Sequence, residues 1–332
     1  DRQRGDRGAA AGGVVAATPH ADAAADASPP DAPPPAASGA SLIDAVALRQ
    51  LETLSLTAVD AIVSGFGGSR SGAQRTRGLE FVDYRRYTPG DDLRSIDWNV
   101  YARLGEIVVK AAPAEGHVDL ALLIDGSRSM DDGTPSRFRY AQELGAMLGT
   151  VALLGSDIVE VHMLADGSSY TGARLAAPHL VTELIEEVSE LPRGTRTDLA
   201  ASLRDYRRGA EPADLAVLLT DGLAEPAALG EAVSELSGSA RGAALVHLVE
   251  SEAAMAALEG SFELEDRETG ETIVVEVTPR IRATYEERVA TASAALRDHC
   301  ADHGVNYVRA PTDVAPLDLL FGAARDAQLV SL

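Results

Sequence analysis

From residue 118 onward the chain alternates short, uniformly apolar runs with stretches of helical period. Residues 118–124, 214–220 and 243–249 are runs of the first kind, the pattern of strands buried on both faces. Residues 138–154, 180–191, 198–208, 226–236, 281–303 and 316–327 repeat their apolar positions every three or four residues and predict helices. Thr197 is a candidate N-cap for the 198–208 helix. Shorter runs at 157–164 and 306–309 predict two further strands. Residues 262–265 and 272–277, separated by a Glu-Thr-Gly turn, predict a late antiparallel hairpin. Strands alternating with helices predict an α/β fold: an open, mostly parallel sheet with helices on both faces.

Upstream the pattern changes twice. Residues 42–64 carry leucine, valine and isoleucine at roughly helical spacing, with Ser41 as a candidate N-cap, Asp44 three residues on and Gly65 as a stop. Residues 73–116 read as a small β-rich block rich in arginine with interleaved acids. Strands are expected over 79–87 and 106–111, and Pro89-Gly90-Asp91-Asp92 supplies a turn between them. Arg85, Arg86, Arg94, Asp91, Asp97 and Trp98 mark this block as structural or as a docking element. Internal pairing of its arginines with its aspartates is favoured over a phosphate-binding surface. Residues 1–40 are alanine, proline, glycine and aspartate, with PPDAPPP at 29–35, a composition that predicts a disordered tail. The expected organisation is therefore a tail over 1–40, a helix and β-rich block over 41–116, and an α/β domain over 117–330.

Composition narrows the chemistry. Of 332 residues, 29 are lysine or arginine and 51 are aspartate or glutamate, so the net charge is −22 and nucleic acid is not an expected partner. A single cysteine, Cys300, excludes an intramolecular disulfide and a multi-cysteine zinc site. Lys110 is the only lysine, and no Gly-Lys-Ser/Thr triplet exists, so a phosphate-binding loop of that type is excluded. The glycine-rich stretch 65–72 lacks the third glycine and the preceding strand of a dinucleotide site. No run of about 20 apolar residues is present, so no integral membrane segment is expected, and the chain reads as cytoplasmic, membrane-associated only through partners. The first residue is Asp1, which leaves room for an upstream piece.

Two apolar strands end in aspartate: Leu122-Leu123-Ile124-Asp125-Gly126-Ser127-Arg128-Ser129 and Leu218-Leu219-Thr220-Asp221-Gly222. In open α/β sheets ligands bind beyond the carboxyl ends of the strands. If the two strands are neighbours, Asp125 and Asp221 share one rim with the hydroxyls of Ser127 and Ser129. Carboxylates and hydroxyls form a hard oxygen set that suits Mg²⁺, with Mn²⁺ or Ca²⁺ as alternatives. The loop Gly194-Thr195-Arg196-Thr197-Asp198 offers Thr197, with Thr195 in reserve.

This pattern resembles the metal-ion-dependent adhesion site of von Willebrand factor A domains, which have a Rossmann-type sheet. Asp125, Ser127 and Ser129 match its Asp-x-Ser-x-Ser motif, Thr197 its threonine and Asp221 its second aspartate. The block from Tyr87 through Pro89-Gly90-Asp91-Asp92 to Trp98, with Ala102-Arg103 and Lys110, resembles the signature of the DUF58 family, as does 266–271. The resemblance covers roughly residues 41–330. It implies a von Willebrand A-like domain and a non-enzymatic interaction or adaptor module. It also implies a partner: a MoxR-type AAA+ ATPase, or another protein offering an acidic side chain to the metal.

Two other readings are set beside this one. A metal-dependent phosphoester hydrolase with Asp125 as nucleophile would want a second aspartate where Ser127 stands and a lysine downstream of Lys110, and neither is present. A purely structural domain with a vestigial site would use the same hydroxyls as backbone caps. His299 and His303, one helical turn apart, are a weaker metal candidate beside Cys300. The acidic stretch 250–276 is expected to be a solvated rim.

Overall fold

The computed structural model describes residues 16–19, 42–57, 84–86, 108–110, 117–133, 135–194, 198–250, 260–265 and 272–331. The chain divides into two compact units, residues 67–117 and the remainder. In the smaller unit the strands Tyr84–Arg86 and Val108–Lys110 pair antiparallel, Arg85 opposite Val109. Asp91, Arg94, Asp97 and Trp98 lie outside the described residues.

The larger unit is built on a six-stranded sheet. Its strands are β1 (Asp119–Asp125), β2 (Ile158–Ala165), β3 (Ser168–Leu175), β4 (Ala213–Thr220), β5 (Ala240–Val249) and β6 (Val305–Pro311). They lie in the order β6-β5-β4-β1-β2-β3, all parallel except β3, which pairs antiparallel with β2 at one edge. The mostly parallel α/β sheet expected from the alternation is present. The sequence pattern does not foresee β3, because an edge strand with mostly exposed, polar side chains lacks the apolar run of a buried one.

Successive side chains of β1, β4 and β5 go to opposite faces, as strand geometry requires. Leu120, Leu122 and Ile124 join one apolar core with Leu215, Val217 and Leu219. Ala121 and Leu123 join the other with Ala216 and Leu218. The first face is covered by α1 (Ala45–Leu51), α2 (Arg137–Leu154), α3 (Val181–Ser189) and the chain end. The second is covered by α4 (Leu199–Gly209), α5 (Pro226–Ser237) and α6 (Pro279–Asp302). The last helical stretch begins as Pro316–Leu319 and loosens into a wider-turned segment, Leu320–Ala324.

Four sequence expectations are corrected. The upstream helix is short: α1 starts after Asp44, whose carboxylate accepts from the amides of Val46 and Ala47, and ends at Leu51. Beyond it Ser55–Leu56 pair with Val330–Ser331. Leu42, Ile43, Leu51, Leu54 and Leu56 are buried in the larger unit's core, so residues 42–57 belong there rather than with the arginine-rich block. The cap of α4 is Asp198, not Thr197; its carboxylate accepts from Ala201 N at 3.0 Å. Within the tail read as disordered, Ala16–Pro19 pair antiparallel with 262–265 of the late hairpin, whose second strand is Thr272–Val277. A strand added at an edge needs backbone donors and acceptors more than apolar side chains.

Candidate metal site at the strand ends

β1 and β4 are adjacent, and the chain leaves them for opposite faces: β1 leads to α2, β4 to α5. That divergence opens a crevice at the carboxyl ends of the strands, the place where such sheets receive ligands. Asp125 closes β1 and Asp221 follows β4, so the structure brings the two carboxylates, Ser127 and Ser129 to one rim. Asp125, Ser127 and Asp221 are buried and Ser129 is half-buried. Thr197, like Thr195, lies outside the described residues. Its loop is anchored at its start, where Gly194 N donates to Gly126 O at 2.9 Å.

The Asp125 loop is held close to β2. Gly126 N donates to Leu164 O at 2.8 Å, and a Cβ on Gly126 would fall 2.4 Å from Met163 Sδ, so a larger residue there would displace the Met163 side chain. Ser127 N donates to Asp125 Oδ1 at 2.9 Å, and the Ser127 and Ser129 hydroxyl oxygens lie 3.1 Å apart. Thr220 donates its hydroxyl to Asp125 Oδ2 at 2.7 Å. Asp221 Oδ1 accepts from Leu223 N at 3.0 Å, while its buried Oδ2 has no hydrogen bond.

Burial pushes the Asp125 carboxyl up to about 6, and the neighbouring Asp221 charge pushes in the same direction. Thr220 and Ser127, which bond the ionised form, oppose both. Two buried acids that raise each other's energy, one with an oxygen short of a donor, form a site that a small hard cation relieves. The residues present therefore fit Mg²⁺: Asp125, Ser127, Ser129 and Asp221 would supply the oxygens. No group of three or more His, Cys, Asp or Glu side chains is poised for a metal among the described residues, so any such site draws on hydroxyls. The His299 and His303 rings lie 5.3 Å apart, and His303 Nδ1 bonds to the His299 carbonyl at 2.9 Å.

Sequence reading missed Arg137. It opens α2, is buried, and donates from Nη2 to Ser129 O at 2.8 Å. Its Nε lies 3.5 Å from Asp221 Oδ2, its Nη1 3.7 Å from Glu250 and its Nη2 3.8 Å from Asp132. The guanidinium is thus a built-in positive charge beside the two acids. A signal was present: Arg137 shares an i, i+3, i+4, i+7 stripe with Tyr140, Ala141 and Leu144, the apolar face of the helix. Thr220 was missed too, because its hydroxyl closes an otherwise apolar strand.

The family described as protein of unknown function DUF58 matches residues 83–295. The uncharacterized proteins Rv1480 of Mycobacterium tuberculosis and Mb1516 of Mycobacterium bovis are each 30% identical over 176 residues, 52% of this chain. The match spans 56% of their length. Among solved structures, the conserved hypothetical protein BatB from Bacteroides thetaiotaomicron is 17% identical with a TM-score of 0.38, over 63% of this chain and 99% of that one. The SpRpn10 VWA domain is 11% identical, also with a TM-score of 0.38, over 61% and 94%.

Proposed function

Because the chain belongs to the DUF58 family, whose match takes in both the arginine-rich block and the α/β unit, we propose that it is a protein-interaction module working through its strand-end site. In this reading Asp125, Ser127, Ser129, Asp221 and Thr197 hold Mg²⁺, and a carboxylate of the partner completes the coordination. The observation that carries it is the pair of buried acids, Asp125 raised to about 6 and Asp221 with an oxygen lacking a donor. Bound there, the ion supplies positive charge and an open ligand position, and the chain's own residues orient it. Hydroxyl ligands add no charge, so with one of the two carboxylates bound directly and the other held through its hydrogen bonds the ion stays under-neutralised and favours an incoming acid. The proposed role is non-enzymatic: the rim offers acids, hydroxyls and one guanidinium, and the neighbouring imidazole of His247 is engaged at both ring nitrogens, by the Asp221 carbonyl at 3.0 Å and the Tyr307 hydroxyl at 2.7 Å.

The proposed partner is a MoxR-type AAA+ ATPase, with a cytoplasmic adaptor role. No helix among the described residues is long and apolar enough to cross a membrane. The test is sedimentation of the purified chain with a MoxR-type ATPase encoded in the same genome, in Mg²⁺ and in EDTA. A complex in Mg²⁺ that dissociates in EDTA, and fails with Asp221→Asn, supports the reading. A complex indifferent to both changes assigns the docking elsewhere.

A further inference from the structure

A cavity of about 440 Å³ opens beside the strand-end site, between α5 and α6, over the ends of β4 and β5. Its size lies in the range of ligand-binding pockets. The stripe Tyr285, Val289, Ala292, Leu296, His299 on α6 forms one wall, and Leu223 and Leu229 stand opposite. These α6 positions repeat every three or four residues, the pattern of a helix face that packs on a partner. Yet Leu296 alone of the five is buried. At its inner end the cavity is bounded by Arg137 and Asp221. Both side chains are more than nine-tenths buried, and Arg137 Nε and Asp221 Oδ2 are left without hydrogen bonds. Asp221 is thus a wall of the cavity and a proposed ligand of the ion at once.

We propose that the cavity is the second half of the recognition site: it receives a large apolar side chain next to the partner's metal-binding acid. This rests on the reading of the site given above. The occupant is a protein segment in which an aspartate or glutamate adjoins a phenylalanine, leucine or similar residue. Three observations favour that chemistry. Asp221, one of the proposed ligands, also lines the apolar space. The lining is predominantly aliphatic. And Asp132, Asp221 and Glu250 already surround the Arg137 charge, so the acid goes to the ion and the apolar group to the cavity. Filling such a space with a phenylalanine side chain is worth about tenfold or more in affinity.

The test uses N-acetyl dipeptide amides as probes, followed by amide NMR shifts of the full chain in Mg²⁺. The probes are Asp-Phe and Phe-Asp, with Asp-Ala, Ala-Asp and the corresponding Asn peptides as controls. The expected result is that a phenylalanine-containing acid binds about tenfold tighter than its alanine counterpart, with shifts at Leu223, Val289 and Leu296. Ala292→Trp, at an exposed position on the cavity wall, should abolish that advantage and leave Asp-Ala binding unchanged. Val289→Trp is the second plug if Ala292→Trp lowers the melting temperature. Equal binding of the phenylalanine and alanine acids overturns the cavity proposal while the metal reading stands. Asn-Phe binding as tightly as Asp-Phe overturns the pairing of acid with apolar group. No probe binding, with Mg²⁺ itself shifting nothing, overturns the metal reading and this proposal with it.

Discussion

Helices α2 and α6 lie on opposite faces of one sheet and are embedded very differently. α2 has 18 residues and buries 15 of them, because α1, α3 and the chain end cover the side that the sheet does not. α6 has 24 residues and buries only Leu296 and Cys300. The first is a central rod that fixes the position of Arg137; the second is an outer wall that leaves space beneath it. A site between two such elements has a rigid polar half and an apolar half with room to accept a ligand. Rigid scaffolds with adaptable margins are where recognition is usually placed.

This contrast is broken most strongly at Arg137. Arg137→Met removes the cation from a buried ion pair and leaves Asp221 uncompensated, so unfolding in urea should show a loss of about 3–5 kcal/mol. Millimolar Mg²⁺ should restore part of that loss if the site takes the ion. Leu148→Ala, deep in the α2 side, should cost about 2–5 kcal/mol in the same assay. Val289→Ala, in the α6 wall of the cavity, should cost less than about 1 kcal/mol, and equal costs would erase the contrast.

The α4 side of the sheet gives a pH test. His162 on β2 is buried, stacks edge-on against Tyr206 at 4.6 Å, and is pushed down to about 4 by burial. The unfolded chain takes up a proton on this ring near 6.5, the folded chain only near 4. The contribution is therefore complete above about 6.5 and is lost as pH falls from there to about 4, up to about 3 kcal/mol. Urea midpoints across that window should fall on acidification, and His162→Gln should flatten the slope. At the strand-end acids themselves a smaller effect than that of Arg137→Met is expected from Thr220→Val. It removes one hydrogen bond to Asp125, at about 1.5–3 kcal/mol when that carboxylate is ionised, and raises the acid's pKa further.

What could be read without coordinates follows the same physics. The central strands β1, β4 and β5 were legible because burial on both faces demands uninterrupted apolar residues. Asp125 and Asp221 were legible because a carboxylate ending such a strand has few structural reasons to be there. The edge strand β3 was not, since its polar residues satisfy strand geometry without an apolar signature. The upstream leucines suggested a longer helix than α1, because they continue at roughly helical spacing, yet Leu54 lies beyond the helix end and Leu56 belongs to a two-residue strand. Arg137 escaped notice because a cation on a helix is ordinarily solvated. The cavity was invisible, as it depends on how far α6 stands from α5.

The central claim is that the strand-end acids hold a divalent ion. It is tested most directly by thermal unfolding of the wild-type chain and of Asp125→Ala, each in millimolar Mg²⁺ and in EDTA. A ligand bound only by the folded state raises its apparent stability by mass action. The account predicts a higher melting temperature in Mg²⁺ for the wild type and none for the variant. Identical melting of the wild type in Mg²⁺ and EDTA, or an equal rise in the variant, would contradict it.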